Sequence, residues 1–210
     1  MTQSKTLRRW ELALLLGVAL AALLGVWLDG AQAALSDRVI RLHVLANSDS
    51  EADQALKLRV RDAVLAEAEE LFVPGAGRAE TEELLRAHLY DLAAAGAEVV
   101  GEAGYSYPVT ASLVHDYWFP PKTYTDFALP AGAYTALRIE IGAGGGQNWW
   151  CVVFPPLCLG SVSETTQETA LEAGLTENQA SLMTGEDEGY VVKFKAVELL
   201  EQFKGWLEGR

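Results

Sequence analysis

Apolar and polar positions alternate along several stretches of the chain, and this alternation predicts strands. Residues 38–46 are rich in β-branched and apolar side chains, and residues 149–154 form another apolar stretch bounded by turn residues. Residues 109–116 and 134–141 alternate with a period of two, which is typical of strands with two different faces. We therefore expect a sheet of four or five strands.

A period of three to four residues predicts helices elsewhere. Ser50 begins the first helix, with Asp53 three positions later in an arrangement like a capping box, and the helix is expected to end near residue 72. A second helix is predicted over residues 79–101 and an amphipathic third over residues 191–207. Residues 161–189 are acidic with weak periodicity, and we expect a mobile segment or a marginal helix there.

These elements predict the α+β fold class, with a mixed or mainly antiparallel sheet and helices packed against it. Because the chain after residue 33 is long enough for one domain with a sizeable core, we expect a single domain over residues 34–210.

The start of the chain resembles an export signal. Three positive charges come first, at Lys5, Arg8 and Arg9. An uncharged apolar run over residues 12–28 follows, and small residues then predict cleavage between Ala33 and Ala34. Because this run also reaches the lower limit for a membrane span, an uncleaved anchor is the alternative. In either case the following domain is expected outside the cytoplasm, with membrane contact only through an uncleaved anchor.

The charge balance narrows the possible partners. The net charge is −13, and removal of residues 1–33 takes away three positive and two negative charges, which leaves −14. Such a chain repels phosphate backbones, so nucleic acid is excluded as an expected partner.

The two cysteines, Cys151 and Cys158, flank a stretch that contains Pro155 and Pro156. A chain reversal at the prolines would place the cysteines opposite each other, at a separation that a disulfide accepts. An exported domain would permit this bond. The alternative is two buried, reduced thiols in an apolar strand.

Two strings superficially resemble ion-binding or phosphate-binding motifs. The glycine run at 142–146 lacks the Lys-Ser/Thr ending of a phosphate loop, so we expect a hairpin turn. Acidic residues are spaced like the first ligands of a calcium loop, at Asp49, Glu51 and Asp53. However, Gln54 and Val60 occupy the positions that require glycine and a carboxylate. We expect no metal and no cofactor.

An exported hydrolase is the competing functional class, either a cell-wall enzyme or a thiol enzyme. Cys151 could pair with His43 or His115, since catalytic partners meet in space rather than in sequence. However, an apolar aromatic strand disfavours the thiolate that such chemistry needs. The histidines, including His88, show no metal-ligand spacing. We therefore expect no catalytic residue.

Trp149 and Trp150 are adjacent strand residues, so their rings are expected on opposite faces of the sheet. One ring could fill the core while the other serves as an interaction anchor. The alternative is that helices cover both faces and bury both rings.

Five strings, in the same order, resemble the stage II sporulation protein R family. They are IRLHVLANSDSEADQALKLRVRDAV (40–64), YPV (107–109), FPPKTY (119–124), PAGAYTALRIEIGAGGGQNWWCVVFPPLC (130–158) and VKFKAVELL (192–200). The resemblance covers most of the expected exported domain, and the strings containing LANSDS and NWWCVVFPPLC are long and unusual.

The resemblance implies a secreted signal of endospore formation. Members of the family pass from the forespore into the space between the forespore and mother-cell membranes. There they activate a membrane-embedded aspartic protease that cleaves the pro-sequence of sigma-E. This chain would then be a non-catalytic protease activator. The residues we expect to contact that partner are Asn47, Ser48, Asp49, Trp149 and Trp150.

Overall fold

The chain forms two compact units, Met1–Leu35 and Ser36–Arg210. Our computed structural model describes residues 10–20, 34–73, 75–124, 127–157 and 166–184. In the first unit, residues 10–20 are helical with exposed side chains. No helix within the described ranges is both long enough and apolar enough to cross a membrane. Ala33 lies outside these ranges, so cleavage before Ala34 stays a prediction.

A mixed four-stranded sheet forms the centre of the second unit. In chain order the strands are β1 (Ile40–Leu45), β2 (Val109–Phe119), β3 (Lys122–Thr123), β4 (Ala128–Leu129), β5 (Gly132–Ile141) and β6 (Asn148–Phe154). The order in the main sheet is β2-β5-β1-β6, while β3 and β4 form a separate pair. β1 runs parallel to β5, and the other neighbours are antiparallel. The expected mixed sheet is therefore confirmed.

Helices pack against this sheet, as the α+β prediction requires. Those in contact with it are α1 (Glu51–Glu70), α2 (Arg78–Ala87) and α3 (Leu89–Glu102). The later helices α4 (Thr166–Glu172) and α5 (Glu177–Thr184) contact each other, and α5 contacts β4 of the separate strand pair. The single helix predicted over residues 79–101 is wrong, because the chain leaves helical geometry at His88, where φ is −108° and ψ is 19°. The break lets α2 pack against β2 while α3 also packs along α1.

Part of the acidic segment 161–189 has regular structure. Within it α4 and α5 contact each other and bury small or apolar side chains, namely Ala170, Leu175, Ala180 and Met183. The expected mobility of this segment stays a prediction. The helix predicted over residues 191–207 lies outside the described residues.

The two faces of the sheet differ in character. The face beneath α1 and α3, which we call the helix face, carries the apolar core residues Ile40, Leu42, Val44, Leu137 and Ile139. Because alternate strand residues point to opposite sides, the intervening positions form a second face. We call it the polar-aromatic face, and it carries Arg41, His43, Tyr117, Phe119, Tyr134 and Trp150.

Candidate functional site

The turn after β1 lies against the glycine-rich loop between β5 and β6. Asn47 Oδ1 accepts from the backbone N–H of Ala143 at 3.0 Å, and its backbone carbonyl accepts from Gly145 at 3.3 Å. Asp49 Oδ1 accepts from the backbone N–H of Gln147 at 2.7 Å. We call this contact, residues 46–49 with residues 142–147, the turn–loop joint. The hairpin turn expected at the glycine run is wrong, because β1 lies between β5 and β6 in the sheet and the loop crosses the end of β1 instead.

Asp53 supports the joint from the first turn of α1. Its Oδ2 accepts from the Ser48 hydroxyl at 2.5 Å and from the Asn47 amide at 2.9 Å. These hydrogen bonds, with Ser48 first, hold the pKa of Asp53 below its ordinary value. The Asp53 backbone N–H donates to the Ser50 hydroxyl at 3.2 Å, which confirms Ser50 as the cap, but the backbone N–H of Ser50 donates to the Ser48 hydroxyl at 3.2 Å rather than to Asp53 as in a capping box. Lys57 also donates to the Gln147 carbonyl at 2.9 Å. The turn is thus held by side chains of α1 on one side and by the glycine-rich loop on the other.

The predicted contact residues of the turn are therefore used within the domain. Asn47 and Ser48 are half-buried, and Asp49 is exposed with one carboxylate oxygen bonded to the loop. Their role in partner binding stays a prediction. Across the described part of the chain, no group of three or more His, Cys, Asp or Glu residues is arranged to hold a metal ion.

The polar-aromatic face holds a buried cation. Arg41 is 0% exposed, and its guanidinium lies 4.1 Å from the centroid of Phe119 and 5.0 Å from that of Tyr134. Burial lowers the pKa of Arg41, while the Tyr124 and Tyr134 hydroxyl groups partly offset this effect. The Tyr124 hydroxyl also donates to the Trp150 carbonyl at 3.2 Å. Aromatic rings thus surround a charged side chain inside the domain.

His43 lies beside this cluster, fully buried. Its Nε2 lies 2.8 Å from Asn148 Oδ1, and because an amide oxygen only accepts, Nε2 carries the proton. Burial is the main cause that lowers the pKa of His43. Its ring centroid lies 5.0 Å from that of Tyr117. The neutral imidazole is thus held in one orientation by the fold.

Trp149 and Trp150 point to opposite faces, as their adjacent strand positions predict. Trp149 lies on the helix face, with the Arg61 guanidinium 4.6 Å from its ring centroid. Trp150 lies on the polar-aromatic face, 6.2 Å from the ring of His43. Both rings are half-buried, and their role as partner contacts stays a prediction.

The residues of the postulated thiol enzyme do not come together. Cys151 lies on the helix face in register with Leu42, whereas His43 lies on the opposite face. His115 is on β2, separated from β6 by β5 and β1, so the two strands are roughly 14 Å apart. The structure thus argues against a Cys–His pair. Cys158 lies outside the described residues, so its pairing with Cys151 stays a prediction.

His115 instead belongs to a polar network around Glu82. This carboxylate lies 2.9 Å from Arg78, 2.6 Å from Arg86 and 3.3 Å from His115 Nε2. The other imidazole nitrogen lies 3.2 Å from the Thr135 hydroxyl. A hydroxyl, a histidine and a carboxylate in this order resemble the Ser–His–Asp/Glu triad of hydrolases. Here, however, Thr135 is 6% exposed and already accepts from Arg78 at 2.5 Å. The network therefore fastens α2 to the sheet.

Within the described residues of the second unit, two exposed aromatic residues were missed by the sequence analysis. Trp118 is 58% exposed on β2, and Tyr90 is 83% exposed on α3. Strand alternation could have identified Trp118, because its neighbours Tyr117 and Phe119 both point to the polar-aromatic face. Exposed tryptophan and tyrosine are frequent anchors in protein interfaces.

Comparison with known proteins places this fold in a family. The family model for Stage II sporulation protein R matches residues 36–164, which include the entire main sheet. A curated Stage II sporulation protein R from Bacillus subtilis (strain 168) is 39% identical over 124 residues. The match covers 59% of this chain and 55% of that protein, so it spans about half of the relative's length. No solved structure matches. The chain belongs to the stage II sporulation protein R family.

Proposed function

We propose that this chain is an exported signalling protein of endospore formation. It activates a membrane-embedded aspartic protease, which then cleaves the pro-sequence of sigma-E in the mother cell. The observation that carries the proposal is the family match over residues 36–164. That region contains every strand of the sheet and the turn–loop joint.

The proposed mode of action is binding rather than catalysis. Two arrangements support it. Cys151 and His43 lie on opposite faces of the sheet, so they cannot form a catalytic pair. The Thr135 hydroxyl is buried and accepts a hydrogen bond from Arg78, so it is not open to a substrate. An activator of this kind binds the active state of the protease more tightly than the inactive state. It shifts the population by the difference between the two binding free energies.

The proposed contact surface includes the exposed aromatic residues. The polar groups of Asn47 and Ser48 are engaged inside the domain, whereas Trp118 and Tyr90 present large rings to solvent. Trp118 also lies on β2, an edge strand of the main sheet. We therefore include Trp118 and Tyr90 with the previously expected residues as candidate contacts.

We also propose that residues 1–33 direct export, either as a cleaved signal peptide or as an anchor. The domain would then act in the space between the forespore and mother-cell membranes. The basic start and the apolar run support this location. Amino-terminal sequencing of the exported product tests cleavage, since a first residue of Ala34 is expected from a signal peptide.

A disulfide between Cys151 and Cys158 belongs to the same proposal. The described part of the chain contains no free cysteine, and the sequence contains two cysteines. An extracytoplasmic location would permit the bond.

The activation proposal is tested in non-sporulating cells that express pro-sigma-E and the cognate protease. Addition of the full chain is expected to cause cleavage of the pro-sequence, measured by the shift in size of sigma-E. Cleavage of equal extent without the chain would rule out the proposed role.

Single substitutions then test the contact surface. Trp118→Ala is expected to reduce the cleavage rate by about thirtyfold, since an interface anchor is typically worth about 2 kcal/mol or more. Val73→Ala is the matched control, because it shortens another exposed apolar side chain. Unchanged cleavage with Trp118→Ala, at equal protein levels, would remove Trp118 from the contact surface.

A further inference from the structure

The β2 strand forms one edge of the main sheet, so only one of its sides pairs with another strand. Its first half, residues 109–114, pairs with β5 in a regular antiparallel register. One step before this stretch, the backbone N–H of Gly142 donates to the Pro108 carbonyl at 2.8 Å, so these two residues are a hydrogen-bonded pair. Because hydrogen-bonded and non-hydrogen-bonded pairs alternate, every second residue from Val109 directs both backbone groups away from β5.

The outward-directed residues are Val109, Ala111 and Leu113. In the described part of the chain, their outward N–H and C=O groups make no hydrogen bond. Edge strands usually prevent unwanted pairing with charges, prolines or bulges, and residues 109–114 contain no charged residue and no proline. The first such device is the bulge that follows, where Asp116 has a φ of 53°. Residues 109–114 can therefore accept another strand.

The hydrophobic core also becomes more exposed toward this edge. The β5 residues paired with Val109, Ala111 and Leu113 are at most 1% exposed, whereas these three are half-buried. The difference arises because β5 has a neighbouring strand on each side and β2 has one. An added strand with small or apolar side chains at alternate positions would cover this row.

β2 itself has the pattern that such a strand requires. If two copies pair antiparallel about a two-fold axis at Ala111, Val109 of each copy lies opposite Leu113 of the other. All three outward residues then form hydrogen-bonded pairs, whereas in any other register at most two of them pair with each other. On the opposite face Thr110 lies beside Ser112 of the second copy, and such hydroxyl pairs stabilise neighbouring strands. The strand is thus complementary to itself.

The bulge limits the length of this pairing. Val114 would lie opposite Pro108 of the second copy, and beyond it the bulge at residues 115–116 bends the strand. The contact is therefore confined to residues 108–114 of each copy. An interface of this small size is typical of a reversible association, so its extent should depend on the protein concentration.

The charge of the chain opposes the pairing without preventing it. Two copies, each with a net charge of −13, repel each other. However, the paired strands are uncharged, and the neighbouring Arg138 and Glu140 on β5 form an ion pair of 2.9 Å. Repulsion between exposed charges more than about 8 Å apart is largely screened at physiological ionic strength. Added salt should therefore strengthen the association.

We propose that this chain forms a two-fold symmetric dimer through residues 108–114, which joins the two main sheets into one continuous sheet. Trp118 lies beyond the bulge and stays outside the paired segment. The dimer concerns how the domain assembles, so it goes beyond the proposed signalling role and does not depend on it.

Sedimentation equilibrium of the full chain in a density-matched mild detergent tests the proposal. The unmodified chain is expected to pass from monomer to dimer as its concentration rises, and at lower concentration when salt is added. Ala111→Pro removes an outward N–H but no hydrogen bond to β5, because proline is accepted at such positions of edge strands. It should raise the dissociation constant of the dimer at least about tenfold. Ala111→Ser is the matched control, since it retains the N–H and should dimerise like the unmodified chain.

A second pair of variants keeps the test valid if Ala111→Pro does not fold. Thr110→Lys combined with Ser112→Lys places lysines opposite each other across the two-fold axis, and it should weaken the dimer by about tenfold. Thr110→Lys combined with Ser112→Glu places opposite charges there and should restore the dimer. Urea unfolding followed by tryptophan fluorescence checks that each variant is folded.

Each other outcome overturns the proposal. A monomer at every concentration and salt level would mean that the edge does not pair with itself. A dimer that survives both Ala111→Pro and the double lysine variant would mean that another surface associates, such as the apolar run over residues 12–28. Equal weakening by the Lys/Lys and Lys/Glu variants would reject the register. Protection of the edge only after the protease is added would assign it to that protein.

Discussion

Replacing Gly146 with alanine tests how closely the two halves of the turn–loop joint approach. A Cβ atom at Gly146 would overlap the Ser48 carbonyl oxygen and would lie 2.5 Å from the Ser48 carbonyl carbon. It would also lie 2.9 Å from the Cβ of Ala46. Because Ser48 meets it with backbone atoms, no side-chain rotation can make room. Gly145 is the matched control, since a Cβ there meets only the Asn47 carbonyl oxygen at an ordinary 3.5 Å.

The expected loss of stability has two sources. Forcing a methyl group into a filled space costs about 1–3 kcal/mol, because the backbone on both sides must shift. The shift also weakens the hydrogen bond from Gly146 N–H to the Ala46 carbonyl, 2.9 Å long, which is worth about 0.5–1.5 kcal/mol. Gly146→Ala should therefore lower the free energy of unfolding by about 2–4 kcal/mol. Gly145→Ala should change it by less than about 0.5 kcal/mol.

Urea unfolding of the unit that begins at Ser36 measures this difference. Tryptophan fluorescence is a suitable signal, since Trp149 and Trp150 follow the loop directly. Equal slopes of free energy against urea would show that both variants unfold in the same two-state manner. If Gly145→Ala and Gly146→Ala then had the same stability, the close approach at Ser48 would not be what fixes the loop.

Three further perturbations test individual interactions. Glu82→Ala should lower the free energy of unfolding by about 1–3 kcal/mol, because Arg78 and Arg86 lose their buried carboxylate partner. Glu83→Ala is the exposed control, and an equal loss of stability in that variant would contradict this reasoning. The pKa of Asp53 in the folded domain lies below its value in the unfolded chain, which is about 3.9. The ionised carboxylate therefore contributes its full stabilisation of the fold above about pH 3.9, and this contribution is lost as the pH falls through the folded-state pKa. Asp53→Asn should therefore flatten the fall of the urea midpoint below about pH 4, and an unchanged profile would exclude Asp53 as its source. Dithiothreitol should lower the free energy of unfolding of the unmodified chain by about 2.5 kcal/mol, because it reduces the proposed Cys151–Cys158 disulfide. It should not change the stability of Cys158→Ser, so equal responses of the two proteins would refute the bond.

Local periodicity was sufficient to locate the main strands. Strands β1, β5 and β6 lie within two residues of their predicted bounds because side-chain alternation follows directly from the backbone of an extended chain. Their order could not be predicted in the same way. The central position of β1 depends on pairing with β5 and β6, which lie about ninety residues away or more in sequence.

The break between α2 and α3 also depends on distant contacts. Residues around His88 continue a helical pattern without proline or glycine, so local sequence predicts one helix. In the structure, Glu82 ties α2 to His115 on β2, while Gly96 brings α3 close to α1 and the sheet. A Cβ at Gly96 would lie 3.0 Å from Val109 and 3.1 Å from Val60. The glycine that weakens the isolated helix therefore permits its packing.

The candidate site shows the same division between local and long-range information. The sequence correctly predicted a turn at residues 47–50 with Ser50 as the helix cap, but it predicted a hairpin at the glycine run, where the loop instead joins two strands that are separated by β1. It did not predict that these turns bind each other, since the bond from Ala143 N–H to Asn47 Oδ1 joins residues 96 positions apart. No local pattern encodes such a contact.

The turn–loop joint determines how measurements of the proposed protease activation should be interpreted. Its two strings are among those by which the family resemblance was recognised, yet their polar groups stabilise the domain itself. Asn47→Ala would remove bonds to both Asp53 and Ala143, so it should reduce the proposed activation by destabilising the domain even if no partner touches Asn47. Trp118→Ala removes an exposed ring and should leave stability within about 0.5 kcal/mol of the unmodified chain. Loss of activation with full retention of stability therefore identifies a contact residue, and Trp118 can meet that criterion whereas Asn47 cannot.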